Sequence, residues 1–250
     1  GLCIFEMLYD DFGRAIDYRF LEVNATFERH TGLTDAVGKT ARELVPNLEP
    51  PWVETYARVA ATGEPLRFEQ GSAAMGRWFE VDAVRVGGPG SHKVALLFSN
   101  ISARRQAELD ARFVSEVSER VRVSADADAL LWEVTQAIGE YLRAARCCFI
   151  AVDDPGDCCV VHPDYRAEPA LPSIAGSYAL SAYPSALMAE LRGGRIVAIP
   201  DTASDPLTAS AHETGFLPLD IHALVGIPLL REGRWAAALV LADVAPREWA

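Results

Sequence analysis

The sequence predicts an α+β chain of two domains, each a central antiparallel sheet with flanking helices, joined by a helix. Three observations carry that expectation. The chain has 250 residues, half of them hydrophobic, which suits two domains with separate cores better than one. Short β-type runs punctuated by Gly, Pro and Asp recur in both halves. Between them, residues 94–108 (VALLFSNISARRQAE) change at Asn100 from an apolar strand-like run to a polar, basic, helix-favouring one.

In the first half, Cys3 to Tyr9 reads as a strand ending at the turn Asp10–Gly13, and Asp17 to Val23 as a half-buried partner. Asn24 is a good N-cap for a short helix through Thr31, with Gly32 at its C-terminal cap. Asp35 to Leu44 reads as one or two further helical turns. Pro50–Pro51 opens a helix whose Trp52, Tyr56, Val59 and Ala60 recur at spacings of three and four, and Gly63–Pro65 stops it. Leu66–Gln70, Arg77–Val86 and Lys93–Phe98 are three consecutive strands, joined at Ala73–Gly76 and Gly87–Ser91. Ser102 to Val123 then has almost no breakers. Its Leu109, Phe113, Val117 and Val121 form one apolar stripe, suited either to packing on its own domain or to pairing across a dimer.

The second half opens with an amphipathic helix over about Asp126–Ala144, whose expected core face is Leu130, Leu131, Val134, Ile138, Tyr141 and Leu142. Cys147–Val152 and Cys158–His162 pair around the turn 154–157. Ser177–Leu180 is a short strand, Ser185–Arg192 a helix stopped by Gly193–Gly194, Ile196–Ile199 a strand, and Thr208–Gly215 a short helix. Ala223–Leu230 and Trp235–Ala242 close on Arg231–Gly233 as a hairpin. Both of its strands are nearly all apolar, so they belong in the middle of a sheet.

The net charge of −12 repels phosphate backbones, and the pair Arg104–Arg105 is too short a basic patch to reverse that, so nucleic acid is not an expected partner. No apolar run approaches the ~20 residues of a membrane helix, and the start carries no signal-peptide pattern. Five cysteines, an odd number, suit a reducing compartment. Both ends read as cut edges of a longer protein.

Several patterns resemble known families. The segments LEVNATFERHTG (21–32), VGKTARELVP (37–46), the W-x-x-x-Y-x-x-V-x-x-T-G-E-P run (52–65) and GRWFEVDAVRV (76–86) occur in the order of a PAS domain, so residues 1–103 resemble one. Residues 104–125 are then a helical linker. Residues 126–250 resemble a GAF domain through the opening helix, VAIPDTASDP (197–206) and HALVGIPLLREGRWAAALVLADVAPREW (222–249), without the helix that usually closes that fold. A PAS domain usually exits through Asp-Ile-Thr; here the exit is Asn100–Ile101–Ser102. Asn100 can hydrogen-bond but cannot form an ion pair, so coupling at this junction is expected to rest on packing.

The resemblance implies a cytoplasmic sensory module of a bacterial signalling protein, most often a two-component sensor histidine kinase. It implies a homodimer and an output domain elsewhere in the parent chain. An unidentified small-molecule ligand would lie between helices and sheet. Phe27, Trp52, Tyr56, Trp78 and Phe98 would line the first pocket. Tyr178, Tyr183 and Phe216 would line the second, with Asp201 and Asp205 near its mouth. Asn100, Arg104, Leu109, Phe113, Val117 and Val121 would relay the signal. No cofactor is named by these motifs. Two alternatives stand beside this reading: a phytochrome-like bilin-binding photoreceptor and a dimerisation unit that senses nothing. Covalent bilin attachment needs a well-placed thiol. Cys3 sits inside the first strand, and Asp243 occupies the place where related photoreceptors carry a cysteine shortly before PR-x-W.

Catalytic and metal motifs are not found. Neighbouring cysteines on a strand point to opposite faces, so neither Cys147–Cys148 nor Cys158–Cys159 converges on one ion, and all are expected as small buried apolar residues. His212–Glu213 looks like the start of a phosphoacceptor motif but lacks the residues that follow; a surface histidine is expected. Gly87–Gly90 is a hairpin turn, with no Lys-Ser/Thr or helix behind it to make a phosphate loop.

Overall fold

The computed structural model of the chain describes residues 1–123, 126–153 and 156–249. It divides into two compact units, Gly1–Phe113 and Val114–Ala250.

The first unit is a five-stranded antiparallel sheet. Its strands are β1 (Leu2–Tyr9), β2 (Ala15–Val23), β3 (Leu66–Ser72), β4 (Arg77–Val86) and β5 (Lys93–Asn100), in the order β2-β1-β5-β4-β3. Three helices lie between the second and third strands: α1 (Ala25–Thr31), α2 (Ala41–Leu44) and α3 (Pro50–Thr62). Asn24 caps α1 by accepting from the Phe27 amide, and Gly32 ends it at φ 78, a left-handed conformation that glycine adopts without a side-chain clash. The segment from Asp35 to Leu44 holds a single helical turn. It survives at four residues because Thr40 and Glu43 form a reciprocal capping box. Helix α3 buries Trp52, Val53, Tyr56, Val59 and Ala60 against the sheet. The resulting core is rich in rings, with Phe5 4.4 Å from Tyr18 and 5.1 Å from Tyr56 between centroids.

Helix α4 spans Ser102–Val123, the range its composition predicts. None of its residues is buried, and Leu109 and Val121 are more than half exposed, so the stripe does not serve as a face packed on its own domain.

The second unit opens with α5 (Ala127–Leu142), capped by Asp126. Its sheet contains β6 (Arg146–Val152), β7 (Cys158–Val161), β8 (Tyr165–Arg166), β9 (Gly176–Ala179), β10 (Val197–Ile199), β11 (Ala223–Arg231) and β12 (Arg234–Asp243). The order is β10-β11-β12-β6-β7-β9, with β8 beside β6; the apolar hairpin β11–β12 is interior, as its composition requires. Helix α6 (Ser185–Arg192) buries Leu187, Met188 and Leu191. The predicted helix at Thr208–Gly215 is instead three successive short turns, Ala209–Ala211, His212–Phe216 and Leu217–Leu219, the middle one a π-turn.

The face of α5 also differs from expectation. Its two fully buried residues are Thr135 and Gly139, while Leu130, Leu131, Val134, Ile138 and Tyr141 are half-buried and Leu142 is exposed. The physical reason is close approach: a Cβ on Gly139 would fall 2.2 Å from the Tyr165 ring, so the helix packs through its small residues. The register Val152↔Cys159 agrees with the expected β6–β7 hairpin, although Asp154 and Pro155 of its turn lie outside the described residues. Four cysteines are buried; Cys158, on the outer face of β7, is exposed and corrects the expectation that both members of each cysteine pair are core.

Candidate ligand cavities and the junction helix

Each unit holds a cavity between its sheet and its helices. The first is about 50 Å³. Phe27, Trp52, Tyr56 and Phe98 line it, with Cys3 and Tyr18 from β1 and β2. Trp78 does not. Alternation along β4 turns Phe79, Val81 and Ala83 inward, and Trp78 falls on the opposite face, 40% exposed. Phe79 is the aromatic that faces this cavity. No charged side chain lines it, and the Trp52 Nε1–H is buried without a hydrogen-bond partner. Burial pushes the Cys3 thiol up to about 12 and raises the Tyr18 and Tyr56 hydroxyls as well, so all three stay neutral.

The second cavity is larger, about 110 Å³, and is lined almost wholly by apolar atoms. Tyr178, Tyr183 and Phe216 stand in its wall with Cys148, Ile174 and Trp235. Tyr178 donates its hydroxyl to the Ile174 carbonyl at 2.7 Å, and burial pushes the Tyr183 hydroxyl up to about 12. Asp201 and Asp205 are not part of this wall. Asp201 accepts from Ser204 Oγ at 2.7 Å and from the Ala203 amide, and Asp205 accepts from the Leu207 amide at 2.8 Å. Both carboxylates shape the 201–208 loop, which seats the fully buried Thr202 and Thr208. His212 stands 3.0 Å from Thr202 Oγ1 through Nδ1, a loop contact that the expectation of a surface histidine missed.

Arg146, at the start of β6, is 1% exposed. Its Nη1 donates to the Pro172 carbonyl at 2.5 Å and lies 3.8 Å from Asp164, which is also buried. Nε and Nη2 are buried with no partner. Nothing in the sequence distinguishes this arginine from a solvated one at a strand end.

At the exit of the first unit, Asn100 Nδ2 donates to the His30 carbonyl at 3.3 Å and Oδ1 accepts from the Ser102 amide at 3.0 Å. The Trp78 backbone holds the same point, accepting from the Ile101 amide and donating to Ser102 Oγ, each at 2.8 Å. Asn100 makes hydrogen bonds only, but the expectation that coupling here rests on packing is incomplete: Glu69 of β3 accepts from Arg104 at 2.7 Å and from Arg105 at 2.9 Å. Two cations in the first turn oppose the helix dipole, and no acidic residue in that turn offsets them; Glu69 supplies the missing negative charge from the sheet. Leu109, Phe113, Val117 and Val121 follow on α4 beyond this anchored turn.

Compared with known families, residues 15–106 match the PAS fold and residues 126–250 match the GAF domain. Among solved structures, the chain is similar to the chromophore-binding domain of an unusual bacteriophytochrome from R. palustris. That match has 14% identity and a TM-score of 0.51, and it covers 100% of this chain and 86% of that one. It is also similar to the phycocyanobilin-bound GAF domain from a cyanobacterial phytochrome, at 16% identity and a TM-score of 0.50, covering 56% of this chain and 82% of that one. At these identities the likeness is one of fold.

Proposed function

Because this chain belongs to the GAF domain family through residues 126–250 and carries a PAS fold over residues 15–106, we propose that it is the ligand-sensing part of a bacterial sensor histidine kinase. In this reading it is a cytoplasmic homodimer that passes its signal to an output domain of the parent chain. The observation that carries it is the apolar cavity of about 110 Å³ between sheet and helices in the second unit. Burying an apolar ligand there changes the packing of those helices, and a two-state element biased by that packing is all a relay requires. Helix α4 supplies the element, with one end tied to the sheet through Glu69 and an apolar stripe left unburied.

A covalently attached bilin fits these residues poorly. Cys3 is 1% exposed in β1 with its thiol held protonated, and Asp243 is engaged by Arg247 at 2.9 Å.

The test has two steps. A panel of small metabolites is screened for a rise in melting temperature of the whole chain, since a ligand that binds only the folded state stabilises it. Spin labels at Ser118 then report the distance between paired α4 helices. A ligand that raises the melting temperature is expected to shift that distance, and an unchanged distance at saturation overturns the relay.

A further inference from the structure

The guanidinium of Arg146 is half-satisfied in a specific way. Its Nη1 is engaged by Pro172 and Asp164, while Nε and Nη2 are buried and unpartnered. Those two nitrogens share one edge of the guanidinium plane. This is the edge that a carboxylate takes with two parallel N–H···O bonds. Leaving a charged donor pair unmatched in a protein interior carries its full desolvation penalty, so the edge calls for an occupant.

The sheet face of Arg146 relates it to the second cavity. Alternation along β6 places Arg146 on the same face as Cys148 and Ile150, both in the wall of the second cavity. Asp164, beside Arg146, accepts from the amide of Ile174, another residue of that wall, at 3.4 Å. The cavity itself has no charged side chain in its lining, and Arg146 lies behind that wall, two positions before Cys148 on the same strand face.

We propose that the ligand of this cavity is a small amphipathic monocarboxylate, with its apolar body among Cys148, Ile150 and Tyr178 and its carboxylate on Nε and Nη2 of Arg146. The proposal rests on the sensory reading given above and narrows its ligand class. A phosphate, with up to two charges, suits the site less well, because Asp164 already offsets the arginine.

Isothermal titration of the whole chain with benzoate and with methyl benzoate separates the two ideas. Benzoate is expected to bind at least roughly tenfold more tightly, the equivalent of one added charge-assisted hydrogen bond. The Ile150 and Ile174 methyl signals should shift on binding. R146K keeps a charge but lacks the planar edge, and it is expected to lose most of the preference; if it does not fold, the benzoate-to-ester ratio of the unaltered chain still decides. An ester that binds as tightly as the acid overturns the carboxylate assignment and leaves the cavity reading standing. Methyl shifts confined to other sites also overturn the assignment. If neither compound binds and the metabolite panel also gives no stabilising ligand, both readings fall.

Discussion

The guanidinium carbon of Arg105 lies 3.9 Å from the centroid of the Trp78 ring. The ring thus faces away from the cavity and forms a platform for the first turn of α4. The same residue's backbone grips Ile101 and Ser102, so one residue of β4 touches the helix start in three ways. Replacing the ring leaves the two backbone bonds intact. W78L should therefore lower stability by only ~0.5–1 kcal/mol, the value of an exposed cation–π contact. Amide exchange over residues 102–106 should rise while exchange in β4 stays slow. Equal acceleration across the whole first unit would count against this local role.

Glu69 makes the complementary contact. Its partners Arg104 and Arg105 are 49% and 39% exposed, so solvent screens each pair and neither contributes more than ~1 kcal/mol. E69Q should leave the thermal midpoint almost unchanged. It should nevertheless loosen the first turn of α4, where two cations would then face the helix dipole alone. The measurement is exchange in that turn at low and at high salt. Salt is expected to speed the unaltered chain toward E69Q and to affect E69Q little.

Much of this was legible from residue order. Asn24, Gly32, Pro50–Pro51 and Gly63 mark helix ends by local chemistry, and local chemistry is what a sequence records. The range of α4 followed for the same reason. Trp78 was misplaced because composition says only that an aromatic sits in a strand; which face it takes depends on the parity of Phe79 and Val81. The face of α5 was misread because Gly139 looks like a weak point until Tyr165 is seen against it. The role of Glu69 depends on a pairing 35 residues away with Arg104, and no local signal announces it. Arg146 was invisible because a charged residue before an apolar run ordinarily points to water.

Burial holds the thiols of Cys3 and Cys147 up at about 12, from an ordinary value of 9.0, and that of Cys159 at about 11. An acid raised in the folded state keeps its proton there while the unfolded chain releases it. Stability is therefore unaffected below pH 9 and falls as pH rises from about 9 toward 12. The buried Tyr183 hydroxyl, also raised to about 12, adds to the same trend. Urea midpoints at pH 8 and pH 10 should show the fall, and C147A should reduce it. At pH 8 a thiol reagent should modify Cys158 in the folded protein and reach the other four only in denaturant.

Gly139 offers a direct test of the α5 contact. G139A is ordinarily favourable in a helix, since alanine loses less entropy. Here the added methyl meets the Tyr165 ring at 2.2 Å, so overpacking should dominate and cost ~1–3 kcal/mol. Pairing G139A with Y165L should recover much of the loss. A stabilising single substitution would show that the ring moves aside freely.

Arg146 and Asp164 set stability against function within one buried pair. Asp164 is 3% exposed and receives Ser173 and the Ile174 amide. D164A would leave the guanidinium buried with its nearest countercharge removed, which should cost ~3–5 kcal/mol. Removing both charges is different, because a well-packed apolar pair avoids the desolvation of each ion. R146M with D164L should recover most of that loss and can equal the unaltered chain in denaturant midpoint. A chain that folds as well without the pair, yet no longer prefers benzoate over its methyl ester, would place the value of Arg146 in the ligand it holds. If the double variant instead unfolds as readily as D164A, the arginine is needed for packing between β6 and the 171–174 segment, and its unmatched edge is the residue of that structural role.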